Sequence, residues 1–280
     1  QYKCDPHAAQ GMTGTIYVYD PNAYNDFTLE QLRLLNGNGS ALFDGVPTTV
    51  AGVVHGVNFQ PTGYSFYVID ENNVGINVFS SDPGSYIVSE GDRLKVSGTI
   101  DQFNGLLEIR PDTIELVSSG NPINTPRQVM ALTEMDESSY LFINELSVDS
   151  VSNISDAGFT VYTTQQGGSK ILIRIDADAL PDLEPGNFAG DPWVTVWGIG
   201  SQFDNSSPFT SGYQILALEV ETFIDAIETI QRSAISMNPN PARDRVLFRS
   251  DLDINTIEIY SLDGKLLSNE NVRHPFAEIQ

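Results

Sequence analysis

The sequence predicts an all-β protein made of two tandem OB-like barrels and a small C-terminal β-sandwich. Three observations lead to this fold class: short alternating strands separated by turn residues, a repeated motif, and very little helical periodicity. The chain has 280 residues, which suggests two domains with room for a small third. Hydrophobic residues make up 40% of it, so each domain can bury a core.

Strand patterns dominate the first half of the chain. In Arg93–Ile100, apolar side chains alternate with polar ones, as in a strand with one buried face and one wet face. Similar patterns predict strands over Thr48–Val57, Tyr64–Ile69, Val74–Phe79, Leu106–Ile109 and Thr113–Val117. The best helix is Thr28–Leu35, where Thr28 and Gln31 form a capping box and Asn36-Gly37 ends the helix. A second short helix is predicted over Asp178–Leu183.

An internal repeat defines the domains. Val96–Asn104 matches Val196–Asp204, since Val, Gly, Gln and Phe recur at the same offsets, and Phe66–Val68 is echoed by Phe159–Val161. The predicted divisions are a segment with one short helix (1–44), a first barrel (45–120), a second barrel (121–222), a linker (223–234) and a C-terminal domain (235–280).

The first repeat resembles a known module. Gly52-Val-Val54, Phe66–Asp70, Glu90-Gly-Asp92, Val96-Ser-Gly98 and Phe103–Ile109 are similar to the OB-fold module of secreted bacterial nucleases. The similarity covers 27–117, and the second copy departs from it before its fourth strand. This resemblance implies an OB fold. It does not imply a particular function, because OB barrels bind many different ligands.

The C-terminal segment resembles another family. Ile235–Pro241, Val246–Phe248, Ile257–Tyr260 and Asp263–Leu266 are similar, in the same order, to the sorting domain of type IX secretion cargo in Bacteroidetes. This resemblance implies that Pro239, Asn240, Pro241 and Gly264 belong to an export signal. The partners it implies are the type IX translocon and its outer-membrane shuttle protein. The family's last Leu-x-x-Gly-x-Tyr strand has no counterpart here, and a further adhesin-like sandwich is the alternative interpretation.

The acidic composition favours an exported protein. The formal net charge is −23, which disfavours nucleic acid as a partner because a polyanion is repelled. Cys4 is the single cysteine, so no intrachain disulfide forms. No apolar run is long enough to span a membrane. A removed signal peptide would explain a chain that starts at Gln1, and so would a sequence shortened for recombinant expression. We therefore expect an extracellular or cell-surface location, reached through the periplasm.

No motif predicts catalysis, and we expect the protein not to be an enzyme. His7, His55 and His274 lie far apart in sequence, and a structural role is expected for His55. Asp70–Gly75 resembles the start of an EF-hand loop, but the expected Glu at the twelfth position is missing, so a plain turn is favoured. We predict no metal site and no cofactor, while an irregular calcium site stays open.

Aromatic side chains mark the predicted binding face, because OB barrels bind ligands along strands two and three and the flanking loops. The candidates are Tyr64, Tyr67, Phe103, Trp197, Phe203 and Tyr213. Core packing is the alternative role for most of these rings, since alternation turns half of such side chains inward. Without adjacent Lys or Arg, a sugar, a peptide or a protein is favoured over single-stranded nucleic acid.

Two short segments match a Bacteroidetes O-glycosylation pattern, Asp followed by Ser or Thr and an aliphatic residue. Thr113 in Asp112-Thr-Ile114 and Ser150 in Asp149-Ser-Val151 would carry the sugar.

Three functions are compatible with these patterns. The favoured one is type IX cargo whose barrels bind a glycan or a surface protein. The alternatives are an accessory nucleic-acid-binding module of an extracellular nuclease and a structural subunit of a surface assembly that grows by strand addition.

Overall fold

The structure is a computed structural model that describes residues 16–190, 193–223 and 244–279, together with strand segments at 2–3, 13–14 and 236–238. Near the N-terminus, β1 (Tyr2–Lys3) pairs with β2 (Thr13–Gly14). Helix α1 (Leu29–Leu32) begins with the predicted capping box: Gln31 N donates to Thr28 Oγ1 (3.2 Å), and Thr28 N donates to Gln31 Oε1 (3.0 Å). The helix is shorter than predicted, because it ends at Leu32.

The first barrel confirms an OB-like fold. Its strands are β3 (Pro47–His55), β4 (Tyr64–Ile69), β5 (Gly75–Ser80), β6 (Arg93–Phe103) and β7 (Leu106–Ser118). They close in the order β3-β4-β5-β7-β6, with β5 and β7 parallel and the other neighbours antiparallel. The two short strands predicted around Pro111 are one continuous β7, whose pairing with β6 is irregular opposite Gly98 and Pro111.

The second barrel repeats this strand order. After a short edge strand, β8 (Arg127–Gln128), come β9 (Tyr140–Ser155), β10 (Gly158–Gln165), β11 (Lys170–Asp176), β12 (Trp193–Gln202) and β13 (Tyr213–Phe223). The sheet runs β10-β11-β13-β12-β9, and β9 pairs back onto β10. The parallel pair is again the third strand with the fifth. The repeated motif therefore corresponds to a repeated barrel.

The helix predicted over Asp178–Leu183 was wrong, since those residues form turns. Pro181 explains the error, because a proline disfavours helical backbone at the residue before it and lacks a donor of its own. A single 3₁₀ turn follows at Pro185–Phe188, and another, Glu134–Asp136, precedes β9.

Each barrel has its own apolar core. Inward residues such as Phe66, Val68 and Ile109 fill the first barrel, and Ile143, Val161 and Ile173 fill the second. These side chains come from alternate positions of each strand. The period-two pattern of the sequence therefore predicts correctly which side chains face the barrel interior.

The chain divides into two compact units, Gln1–Asp225 with both barrels and Ala226–Gln280. The described part of the second unit is one antiparallel sheet, β14 (Ser236–Asn238), β15 (Val246–Tyr260) and β16 (Leu266–Ile279), in the order β14-β15-β16. The predicted β-sandwich differs from this, since the described residues contain no second sheet to pack on the first. Among its described residues, Ile254, Ile257, Ala277 and Ile279 form a small buried cluster.

Among the described residues, no helix combines the length and the hydropathy that a membrane crossing requires.

Candidate functional site

The two barrels meet along the outer face of β4. Tyr67 and Ile69 point away from the first core and are 1% exposed, because they pack against Ile199, Leu216 and Leu218 of the second barrel. This face corresponds to the ligand face of an OB barrel. In the first barrel, packing between barrels therefore occupies the face that a ligand would use.

Hydrogen bonds tie the barrels together in register. Asn73 Nδ2 donates to Tyr140 O (2.9 Å), and Tyr140 N donates to Asn73 Oδ1 (3.0 Å). The backbones approach so closely that a Cβ at Gly75 would lie 2.2 Å from Ser138 O. A side chain at Gly75 is thus excluded by contact with the second barrel.

His55 anchors the connection between the barrels. Its Nδ1 donates to Val53 O (2.9 Å), and its Nε2 accepts from Asn124 N (2.9 Å), so the neutral ring is the form that fits both bonds. Burial lowers the pKa of His55 in agreement with this neutral form. The side chain has the structural role that the sequence suggests.

A groove of about 510 Å³ lies beside this junction, on the outer face of β10 and β11 of the second barrel. Loop residues from both barrels form its rim. The second barrel contributes Asn153, Thr160, Tyr162, Leu172, Arg174, Asp176, Ser201, Gln202, Phe203, Gly212, Gln214 and Leu216. The first barrel contributes Phe59, Ser65, Tyr67, Phe103 and Leu106.

The repeated motif explains how two aromatic rings reach this groove. Gln102 Nε2 donates to Gly105 O (2.7 Å), and Gln202 Nε2 donates to Ser211 O (2.9 Å), so each glutamine fastens the loop after the fourth strand of its barrel. The next residue in each copy, Phe103 or Phe203, is left 57% exposed. Equivalent rings from both barrels therefore line one groove.

A buried acceptor lies at the same place. Gln202 is 2% exposed, and its Oε1 has no hydrogen-bond partner. Because Nε2 is engaged by Ser211 O, the oxygen is the free end of the amide. An unpaired buried acceptor costs free energy. This oxygen is shielded from the groove, because it lies against the backbone of Gly105, where a Cβ would be 2.2 Å from it.

Buried carboxyl groups add an unusual electrostatic feature to the junction. Burial raises the pKa of Glu137 to about 8, helped by Glu134 and opposed by Arg33 and by the Leu107 N–H donated to Glu137 Oε1 (3.2 Å). Burial also raises the pKa of Glu108 to about 7, with Asp101 adding to the rise and Arg110 opposing it. One oxygen of each carboxyl group, Glu137 Oε2 and Glu108 Oε1, has no hydrogen-bond partner.

The predicted binding residues separate into two groups. Tyr67, Phe103 and Phe203 all line the groove, although Tyr67 is almost fully covered. The others lie elsewhere: Tyr64 is 6% exposed in the first core, Trp197 stacks on Phe142 outside the second barrel (centroids 6.3 Å apart), and Tyr213 donates to Glu134 Oε2 (3.2 Å).

Sequence reasoning missed the polar wall of the groove. Arg174 and Asp176 lie on β11 and face outward, Tyr162 lies on the neighbouring strand β10, and Asn153 lies on β9, which pairs with β10. The alternation of polar and apolar residues in Lys170–Asp176 indicates that Arg174 and Asp176 face outward. This strand was not recognised from the sequence, because the second repeat departs from the first.

The remaining predicted sites are placed as follows. Thr113 and Ser150 are exposed on strands β7 and β9, and their glycosylation stays a prediction. Gly264 adopts φ 82° in the turn between β15 and β16. Pro239, Asn240 and Pro241 lie outside the described residues. Asp70 Oδ1 accepts from Asn72 N and Val74 N (2.9 Å each), the geometry of a plain turn.

No clustering of three or more His, Cys, Asp or Glu side chains suited to a metal ion occurs in the described part of the chain.

Comparison with known proteins gives little further information. No protein-family model matches the chain, and no curated protein matches it. A solved structure described as the tetrameric p202 HIN2 is similar at 12% identity over 65% of this chain and 94% of that chain, with a TM-score of 0.28. Another, described as the molecular basis for abrogation of activation of pro-inflammatory cytokines, has 12% identity over 64% and 95%, with a TM-score of 0.29. The OB-like assignment therefore depends on the strand order of the barrels themselves.

Proposed function

We propose that this protein is a non-catalytic binding protein whose groove between the two barrels holds a glycan. The observation that carries the proposal is the placement of Phe103 and Phe203, equivalent residues of the two repeats, on one groove of about 510 Å³. Exposed aromatic rings offer apolar faces on which a sugar ring can pack, and the half-buried polar wall offers hydrogen bonds for its hydroxyl groups.

The charges of the groove favour a hydroxyl-rich ligand over nucleic acid. Arg174 is the one cationic side chain among its described lining residues, and Asp176 is the one carboxylate. A phosphate backbone gains most of its affinity from several Lys and Arg contacts, which this lining does not offer. A glycan needs both hydrogen-bond donors and acceptors, and the side-chain amides of Asn153 and Gln214 on the groove carry both.

The same lining supports a non-catalytic role. Hydrolysis of a glycosidic bond generally uses two carboxyl groups on opposite sides of the bond. With Asp176 alone among the described lining residues, the groove offers binding groups without a second acid or base of that kind.

Binding to polysaccharides tests the groove. We expect retarded migration in gels that contain a neutral glucan, mannan or xylan, and weaker retardation for Phe103→Ala and Phe203→Ala. Loss of half-buried contact with each ring corresponds to about 1–2 kcal/mol, or about five- to thirtyfold in affinity. Phe276→Ala in the second unit, where the ring is 41% exposed, is the matched control and should bind like wild type.

Two outcomes would contradict the glycan proposal in different ways. If a single-stranded oligonucleotide binds at low salt and both groove variants weaken it, the groove is the site but the ligand class is wrong. If no polysaccharide binds, or if the groove variants equal Phe276→Ala, the proposal fails altogether.

We further propose that the protein is exported as type IX cargo and works outside the cell or at its surface. The order of the C-terminal sequence segments supports this, and so does the tight turn at Gly264, where Gly264 N donates to Ser261 O (2.9 Å). Deleting 235–280 in the native host should leave the protein in the periplasm, as measured by immunoblots of cell fractions. Secretion of the truncated chain at the wild-type level would refute this route.

A further inference from the structure

A second cleft, separate from the groove, lies at the other end of the second barrel. It has a volume of about 290 Å³ and is lined by Glu145, Gln166, Trp193 and Phe223. These residues come from β9, from the turn between β10 and β11, from the start of β12 and from the end of β13.

The two rings of the cleft belong to paired residues of neighbouring strands. Trp193 and Phe223 are direct cross-strand partners, so their side chains leave the same face of the sheet at neighbouring positions. Phe223 is 44% exposed. In the described part of the protein, neither ring packs on another aromatic ring, in contrast to Trp197, which stacks on Phe142. Within the described residues, therefore, no aromatic ring covers the faces of this pair.

The polar side chains of the cleft are Glu145 and Gln166. Glu145 is exposed and adopts φ 56°, a left-handed conformation that is uncommon for a residue other than glycine. Neither Glu145 nor Gln166 forms a side-chain hydrogen bond or an ion pair with the described residues. Glu221 lies two residues before Phe223 on the same face of β13 and adds a further carboxylate. Negative charge thus borders the aromatic pair.

We propose that this cleft binds an organic cation, the ammonium or guanidinium group of a basic segment of a partner protein. Ring faces attract cations through their quadrupole, at about 0.5–2 kcal/mol for each contact, and a neighbouring carboxylate adds direct attraction. The formal net charge of −23 steers a basic partner toward the protein before contact. The cleft is small enough for one side-chain head group, so the rest of the segment would lie along the acidic surface of β13.

Tryptophan fluorescence provides a direct test, because the chain has two tryptophans. In Trp197→Phe, which keeps an aromatic ring against Phe142, Trp193 is the single reporter. The probes are choline, its neutral isostere 3,3-dimethyl-1-butanol, and a short arginine-containing peptide. We expect saturable changes with choline and the peptide, and at least tenfold weaker binding of the neutral isostere.

Matched variants in the Trp197→Phe background separate the contributions. Glu145→Gln should weaken choline binding about fivefold and Phe223→Ala by at least as much, while Phe203→Ala in the groove should leave it unchanged. Peptide binding should weaken as salt rises. Tighter binding of the peptide than of choline would support a protein partner over a free small cation.

Three outcomes would overturn the proposal. Equal binding of the neutral isostere would show that the cleft binds apolar groups without selecting for positive charge. Unchanged choline affinity in Glu145→Gln would show that this carboxylate takes no part in binding. Absence of any saturable change with both cations, in a variant whose circular dichroism matches wild type, would exclude the site.

Discussion

Replacing Glu137 with Gln is expected to stabilise the protein at pH 8 and to change its stability little at pH 5. The carboxyl group is 2% exposed at the junction between the barrels, and its pKa is raised to about 8 by burial. A glutamine keeps an oxygen for the hydrogen bond from Leu107 N and carries no charge, so it imitates the protonated acid.

The sign of the effect follows from proton linkage. A carboxyl group whose pKa is higher in the folded state than in the unfolded state stabilises the fold fully only at pH values below its unfolded pKa, near 4.5. This contribution is lost as the pH rises toward about 8, because the unfolded chain ionises first. The loss from this single site is about 3–5 kcal/mol, a large share of the stability of an ordinary domain.

Urea unfolding at pH 5 and at pH 8 measures this difference directly. Glu115→Gln is the matched control, because Glu115 is exposed on β7 of the first barrel and should show the wild-type dependence on pH. Glu137→Gln should keep a weaker dependence of unfolding free energy on pH, because burial raises the pKa of Glu108 to about 7. If wild type and Glu137→Gln lose stability in parallel between these pH values, Glu137 does not ionise with a raised pKa.

Replacing Tyr67 with Ala should be the most destabilising single truncation at the junction. The ring is 1% exposed between the barrels and packs edge-on against Phe59, with centroids 6.0 Å apart. Removing a buried aromatic side chain of this size costs about 3–5 kcal/mol, because it loses contact area and leaves a cavity. The variant should also loosen the groove, since Tyr67 forms part of its floor.

Tyr67→Phe distinguishes packing from hydrogen bonding. The hydroxyl donates to Ser201 Oγ over a long 3.4 Å, so its removal should cost about 1 kcal/mol or less. Tyr19→Ala, at a side chain that is 46% exposed, is the control for truncation of a tyrosine. Thermal melting followed by circular dichroism gives the comparison. A Tyr67→Phe variant as unstable as Tyr67→Ala would show that the hydroxyl, rather than the ring, holds the junction.

Should Tyr67→Ala fail to fold, Tyr67→Leu keeps part of the apolar area and should show an intermediate loss of stability.

Local patterns were sufficient to predict the barrels. Alternation in Arg93–Ile100 follows from the geometry of a strand with one wet face, and the capping box at Thr28 involves residues only three apart. The match of Val96–Asn104 with Val196–Asp204 predicted two similar barrels, and the strand order confirms them. Where a proline contradicted the pattern, as in Asp178–Leu183, the prediction failed.

The candidate site was predicted only in part. Phe103 and Phe203 were recognised because the repeat contains them, and the structure places both on the groove. Arg174 and Asp176 were missed, since their importance depends on the loops that lie opposite β11. The pairing of Trp193 with Phe223 was not predicted for a similar reason, because it joins the start of β12 to the end of β13.

By itself, the sequence determined the all-β class, the number of barrels and the side chains that point into each core, because these follow from interactions between residues close in the chain and from strand periodicity. Only the tertiary structure decided what covers the outward faces. Alternation places Tyr67 outside the first barrel, yet packing of the second barrel buries it, while Phe103 stays exposed. The reason is that an outward direction is a property of one strand, whereas burial of that face depends on a surface more than a hundred residues away.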